Sequence, residues 1–335
     1  METRLHTNYR LLMDANWQSQ VANAFRNPRE LLTFLDLSEA LCPIAETSFP
    51  FLVTRVFAER MSKADPRDPL LLQVLPDLEE LELREGFGPD PVSDLGAQRS
   101  PGFLQKYRQR ALVISTGACA IHCRYCFRRD FPYHEQQTSR SRWEATLREI
   151  QSDRTLEEVI LSGGDPLMLS NERLGEILQD LGEISHLRRI RIHTRMPVVL
   201  PARIDSGLIE LMNRSSLRII VVIHCNHPNE LDADVGTALD LLYRTGAMLL
   251  NQSVLLRGIN DSEPTLIALS KKLFEMHVMP YYLHGLDRAT GTHHFEVSLD
   301  QSKALANRLR ASLPGYLVPK LVQEIPGKDS KSPIF

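Results

Sequence analysis

The chain has 335 residues, 43% hydrophobic and 24% charged, with 39 basic against 42 acidic side chains and a net charge of −3. This composition excludes intrinsic disorder, a collagen-like chain and a disulfide-dense miniprotein. It shows no basic excess, so no nucleic-acid partner is expected, and no apolar run of the roughly 18–20 residues a membrane span needs. The charged stretch Met1–Asn16 lacks the apolar core of a signal peptide, so a cytoplasmic location is expected.

Residues 1–100 read as an N-terminal helical region. Apolar spacing predicts helices over Trp17–Phe25, Pro28–Leu37 and Phe49–Met61. Asp65–Pro76, broken by prolines, is a connector, and the Gly/Pro/Asp-rich stretch Gly86–Pro101 marks a boundary. Residues 101–290 then alternate short β-branched or apolar runs with longer helical patterns. Strands are predicted at Ala111–Ser115, Glu158–Ser162, Arg189–Thr194, Arg218–His224, Met248–Leu256 and Met279–Leu283. Helices are predicted at Trp143–Ser152, Asn171–Ile184, Ile204–Asn213, Asp232–Thr245 and Pro264–His277. Strands joined in series by right-handed helical crossovers make a parallel sheet that curls, so the expected fold is α/β, a partial (β/α)6 barrel. Residues 291–335 form a C-terminal segment holding an apolar Tyr-Leu-Val-Pro-Lys-Leu-Val run and a Gly/Ser/Lys/Pro tail.

Five cysteines occur, at 42, 119, 123, 126 and 225. An odd total with one tight cluster argues for a metal or redox site in a reducing compartment. Cys119-x3-Cys123-x2-Cys126 puts three thiolates on the loop after the first barrel strand. Three thiolates hold three irons of a [4Fe–4S] cluster and leave the fourth iron open for a ligand. A zinc site using His122 and a thioredoxin-like Cys-x-x-Cys are the alternatives; the second leaves Cys119 unexplained. His224 and Cys225 point to opposite faces of a strand, so one ion cannot easily take both. Cys225 and Cys42 read as small hydrophobes.

The triad, with Tyr125 before its last cysteine, resembles the radical S-adenosylmethionine superfamily. That resemblance implies a partial barrel, a [4Fe–4S] cluster, and S-adenosylmethionine cleaved reductively to a 5′-deoxyadenosyl radical. Ser162-Gly-Gly-Asp-Pro166 is similar to the family's glycine-rich turn. It implies that Gly163 and Gly164 let the backbone approach the cofactor and that Asp165 accepts a bond from its ammonium. Cys126-Phe-Arg-Arg129, Arg195-Met-Pro-Val-Val-Leu-Pro201, Asn226-His-Pro-Asn-Glu230, the long run from Asn251 to Asp261, and Pro280-Tyr-Tyr282 resemble the lysine 2,3-aminomutase family over residues 65–333.

This second resemblance implies an isomerase that also uses pyridoxal phosphate, with Lys331 as its Schiff-base lysine. Lys328-Asp329-Ser330 replaces most of the family's glycine run before it. Further roles follow by position. Arg128 would bind the substrate carboxylate, and Asp287 and Glu324 its distal ammonium. Arg110 and Tyr107 would lie near pyridoxal phosphate, and His224 and Gln252 would face S-adenosylmethionine.

The expected reaction moves the amino group of L-lysine from Cα to Cβ, regenerating S-adenosylmethionine. The short C-terminus and Glu324 look most like the branch that makes (R)-β-lysine for modification of elongation factor P. That branch implies a separate β-lysine ligase and an electron donor; a homo-oligomer stays open. A catabolic or biosynthetic lysine 2,3-aminomutase is the near alternative. A radical RNA methyltransferase and a non-enzymatic iron–sulfur module are the distant ones.

Overall fold

A computed structural model describes residues 16–42, 49–136 and 140–335. Ten strands lie in one sheet in chain order. They are β1 (Gln98–Ser100), β2 (Phe103–Tyr107), β3 (Arg110–Thr116), β4 (Glu158–Gly163), β5 (Arg189–Thr194), β6 (Arg218–Ile223), β7 (Met248–Val254), β8 (Met279–His284), β9 (Lys320–Gln323) and β10 (Ser332–Pro333). Strands β3 to β9 pair parallel, while β1, β2 and β10 are antiparallel additions at the two ends. No pairing joins β10 to β1 among the described residues, so the barrel stays open.

The expected partial barrel is therefore present as β3–β8, with β9 adding a seventh parallel strand. Its crossover helices span Arg140–Ser152, Asn171–Gly182, Ser206–Arg214, Ala233–Arg244, Glu263–Glu275 and Leu299–Ser312. Ser170, Asp205, Asp232, Ser262 and Ser298 start five of them, each accepting a bond from the backbone N–H three residues on. Such caps are worth about 1 kcal/mol each.

Strand β5, Arg-Ile-Arg-Ile-His-Thr, explains how the layers form. Ile190 and Ile192 are buried outward, in the same core as Leu174, Ile177, Leu208 and Met212 of the flanking helices. Each such isoleucine contributes about 1.5–3 kcal/mol. Arg191 and His193, on the other face, line a cavity inside the barrel. The period of two thus sorts apolar residues to the helices and polar residues to the interior.

The N-terminal region departs from its predicted elements. The helix expected over Phe49–Met61 contracts to Arg55–Ala58. Ahead of it Val53 is extended and bridges Phe25 through two backbone bonds, because Phe51, Leu52 and Val53 are all buried and a helix would expose some of them. The apolar run near the C-terminus becomes a short 3-10 turn, Gly315–Leu317, followed by β9. Strands β1, β2 and β10 and the helix Leu299–Ser312 had no counterpart in the sequence reading. Among the described residues no helix is long and apolar enough to cross a membrane.

Candidate active site

The loop after β3 carries the three cysteines and is held from three sides. On its N-terminal side, His122 N donates to Leu52 O at 2.9 Å and Arg124 N to Gln73 O at 2.9 Å. Below, Gly164 N donates to Thr116 O at 2.7 Å and Asp165 N to Ala118 O at 2.8 Å. Between them, Glu80 takes Arg124 Nε at 2.7 Å and Arg129 Nη2 at 2.8 Å, with a second Arg124 contact through Nη2. Arg124 is fully buried and Glu80 nearly so. Burial pushes the Glu80 carboxyl up, but the two guanidinium groups more than offset this and leave it below its ordinary range.

The glycine turn is a close backbone approach. Gly163 has φ +124°, and a Cβ there would lie 2.4 Å from Thr116 O. A Cβ on Gly164 would lie 2.3 Å from Ala118 O. Tyr133 reaches under the turn and donates to Gly163 O at 2.8 Å. These glycines let the turn seat against the cysteine loop.

Cys119, Cys123 and Cys126 all line one cavity of roughly 410 Å³ that runs from the carboxyl ends of the strands through the barrel to Arg110 at the start of β3. Barrel enzymes place their chemistry at the carboxyl rim. Every other sequence-predicted site residue lines the same cavity: Gly163, Gly164, Asp165, His224, Gln252, Arg110, Tyr107, Arg128, Asp287, Glu324 and Lys331.

The C-terminal strands bring the last two there. Pairing of Ser332 with Gln323 in the β9–β10 hairpin sets Lys331 across from Glu324. Lys331 Nζ donates to Glu324 Oε2 at 2.8 Å, and Tyr107 OH donates to Oε1 at 2.7 Å. Burial raises the Glu324 carboxyl, but Lys331 and these hydrogen bonds more than offset it, so it lies below its ordinary range. Asp287, without so close a cation, is pushed up to about 7 by burial, although Lys331 pulls the other way.

Arg128 donates through Nε to Asp94 at 2.6 Å and through Nη1 to Ser162 at 3.0 Å. Lys106 shares Asp94 at 2.7 Å. Arg110 stacks over the Tyr107 ring, 4.6 Å from its centroid, and has no carboxylate partner among the described residues. His224 Nε2 and Gln252 Nε2 are buried without a hydrogen-bond partner among the described residues. Burial lowers His224 to about 4, so it is neutral at pH 7.

Asp165 lines the cavity and is also held by its own turn and by the end of β5. Oδ1 accepts from Leu167 N at 3.0 Å and Thr194 Oγ1 at 2.7 Å, and Oδ2 from Arg195 N at 2.7 Å. Its carboxylate thus caps the turn Pro166–Met168 and ties β4 to the end of β5, while Oδ2, with one bond, keeps acceptor capacity. Burial raises it to about 6 against those same bonds.

A radical SAM superfamily model matches residues 113–212, which span β3 to the helix after β5. An L-lysine 2,3-aminomutase of Escherichia coli (strain K12) is 46% identical over 325 residues, covering 95% of this chain and 94% of its own. One from Buchnera aphidicola subsp. Baizongia pistaciae (strain Bp) is 42% identical, covering 94% of each. A radical SAM methyltransferase structure from Sphaerobacter thermophilus matches with TM-score 0.46 and 19% identity, over 66% of this chain and 68% of its own.

The chain belongs to the lysine 2,3-aminomutase family of radical SAM enzymes. Membership implies a [4Fe–4S] cluster and S-adenosylmethionine, and the cavity suits both. Its three thiols line the same cavity, and three thiolates on one loop suit a cluster in which each takes its own iron. The one local candidate for a fourth zinc ligand, His122, turns its Nδ1 to Pro50 O at 3.0 Å. The unpartnered His224 and Gln252 nitrogens and the glycine turn suit a polar cofactor beside the cluster.

Sequence reasoning assigned no role to Arg195, Glu230, Gln73, Tyr125, Asp94 or Lys106. Arg195, Glu230 and Tyr125 lie inside quoted motifs, which was the available signal. Gln73 and Asp94 lie in stretches read as connector and boundary, where nothing local marked them.

Proposed function

We propose that this enzyme is a lysine 2,3-aminomutase that converts L-lysine to (R)-β-lysine and supplies it for modification of elongation factor P through a separate ligase. Support comes from one observation above all. Lys331 and the cysteine triad, near opposite ends of the barrel sequence, line one cavity, and the acids Glu324 and Asp287 line it with them. The names of the relatives agree with the lysine 2,3-aminomutase part of this reading.

In this reading Cys119, Cys123 and Cys126 hold the cluster, while Gly163, Gly164, His224 and Gln252 hold S-adenosylmethionine. Lys331 holds pyridoxal phosphate. The unpaired cation Arg110, stacked on Tyr107, suits its phosphate. When bound, these groups supply a hydrogen-abstracting carbon radical and a π-system across which nitrogen can migrate.

The chain's own residues do the positioning. Arg128 is oriented by Asp94 and Ser162; its Nη2 makes no bond within the chain among the described residues, leaving a donor for the substrate carboxylate. Asp287 attracts the distal ammonium. Glu324 pairs through Oε2 with Lys331, and through Oε1 with Tyr107 and Lys106; were Lys331 to hold the cofactor, Oε2 would be free for that ammonium.

The test is turnover of L-lysine by anaerobically reduced protein with S-adenosylmethionine and pyridoxal phosphate, read by chiral chromatography. (R)-β-lysine is expected, and (S)-β-lysine would favour the catabolic role. Cleavage of S-adenosylmethionine without β-lysine would refute lysine as the substrate.

A further inference from the structure

Arg195 follows β5, and its side chain is nearly fully buried. Nη1 lies 2.6 Å from Cys123 Sγ. Nη2 is held by Gln73 Oε1 at 2.6 Å and Glu230 Oε2 at 2.8 Å. Glu230 is itself fixed, its Oε1 accepting from Asn226 N and His227 N at 2.9 Å each and from Gln73 Nε2 at 3.1 Å. The Phe57 and Tyr125 rings flank the guanidinium at 5.4 and 5.7 Å. The backbone N–H of Arg195 is bonded to Asp165. The backbone and one fork arm are therefore held, two aromatic rings lie beside the guanidinium, and the remaining arm meets a thiol.

We propose that Arg195 is a positioning residue for electron entry: it donates a charged hydrogen bond to the Cys123 sulfur and raises the potential at which the cluster accepts an electron. The inference rests on the reading of Cys123 as a cluster ligand. One electron from an external one-electron reductant adds one negative charge to the cluster, part of it on the thiolate sulfurs. A fixed cation in contact with sulfur stabilises that added charge more than it stabilises the oxidised form. No proton moves, because a guanidinium stays protonated. Glu230 opposes this, but it sits on the far arm while Nη1 touches the sulfur, so the nearer charge dominates.

The test is an EPR-monitored reductive titration of reconstituted wild type and R195Q with dithionite. The reduction equilibrium constant of R195Q should fall about tenfold or more, which is about 59 mV to lower potential for a one-electron couple. R195K, which keeps a cation but loses the fork, should fall between. An unchanged midpoint in R195Q with full iron content overturns the proposal. If R195Q does not retain iron, the reduced wild type labelled with guanidinium-15N arginine decides. A 15N hyperfine coupling that disappears in R195K is expected, and no such coupling overturns the proposal. A Cys123→Ala variant with full iron and an unaltered midpoint would instead refute the ligand reading beneath it.

Discussion

Replacing Gly164 with alanine tests whether the glycine turn seats the cysteine loop. The added Cβ would lie 2.3 Å from Ala118 O, 2.7 Å from Gly117 C and 2.8 Å from Ala118 C. All three are backbone atoms, so no side-chain rotation relieves the overlap. Since real Cβ contacts essentially never fall below 3.0 Å, the turn and loop must separate by about 0.7 Å. Overpacking of this kind costs about 1–3 kcal/mol. Stretching the Asp165 N to Ala118 O bond adds about 1 kcal/mol.

With an unfolding entropy of about 2.1 cal/mol/K per residue over 335 residues, a loss of about 2–4 kcal/mol lowers Tm by about 3–6 °C. Because Cys119 follows Ala118 directly, bound iron should fall as well. Gly315→Ala is the control: nothing lies within 4 Å of its Cβ, so Tm should stay within about 1 °C. Calorimetry and iron assay read both variants. A Gly164→Ala protein with wild-type Tm and full iron would refute the seating argument.

Glu80→Gln should cost about 3–5 kcal/mol, because it strands two buried guanidinium groups; thermal unfolding measures it. Since the folded Glu80 carboxyl lies below its ordinary range, the stability it provides is present above about pH 4.3 and is lost as pH falls through the lower folded value. The acid limb of the unfolding curve should therefore flatten in the variant. Asp287, raised to about 7, is neutral below that pH and a carboxylate above it. Calorimetric affinity for L-lysine should rise about tenfold from pH 6 to above 7, and Asp287→Asn should abolish that dependence; an identical pH profile in the variant would remove Asp287 from the ammonium site. Lys331→Ala should leave iron content intact while preventing covalent trapping of pyridoxal phosphate by borohydride. Mass spectrometry showing the same adduct in the variant would assign the lysine elsewhere.

The barrel was legible because its signals are local. The alternation in Arg189–Thr194 is the face assignment of β5, and apolar spacing marked the helices between strands, although the caps were not read and the helix predicted from Ile204 begins after its cap Asp205. The short strands β1, β2 and β10 were not legible, since pairs of two to five residues are stabilised by the sheet they join rather than by their own pattern.

The sequence by itself determined three cysteines at one-loop spacing and a glycine pair after the next strand; the roles of the acids and the lysine near the C-terminus came only from the family resemblance. Only the tertiary structure decided whom they meet. Arg195 reaches Cys123 across 72 positions and Gln73 across 122, Glu80 reaches Arg124 across 44, and Asp165 spends its oxygens on β5 rather than on the cavity alone. The reason is physical: periodicity reports the face a residue takes relative to its chain neighbours, whereas the partner of a buried charge depends on how the whole sheet curls.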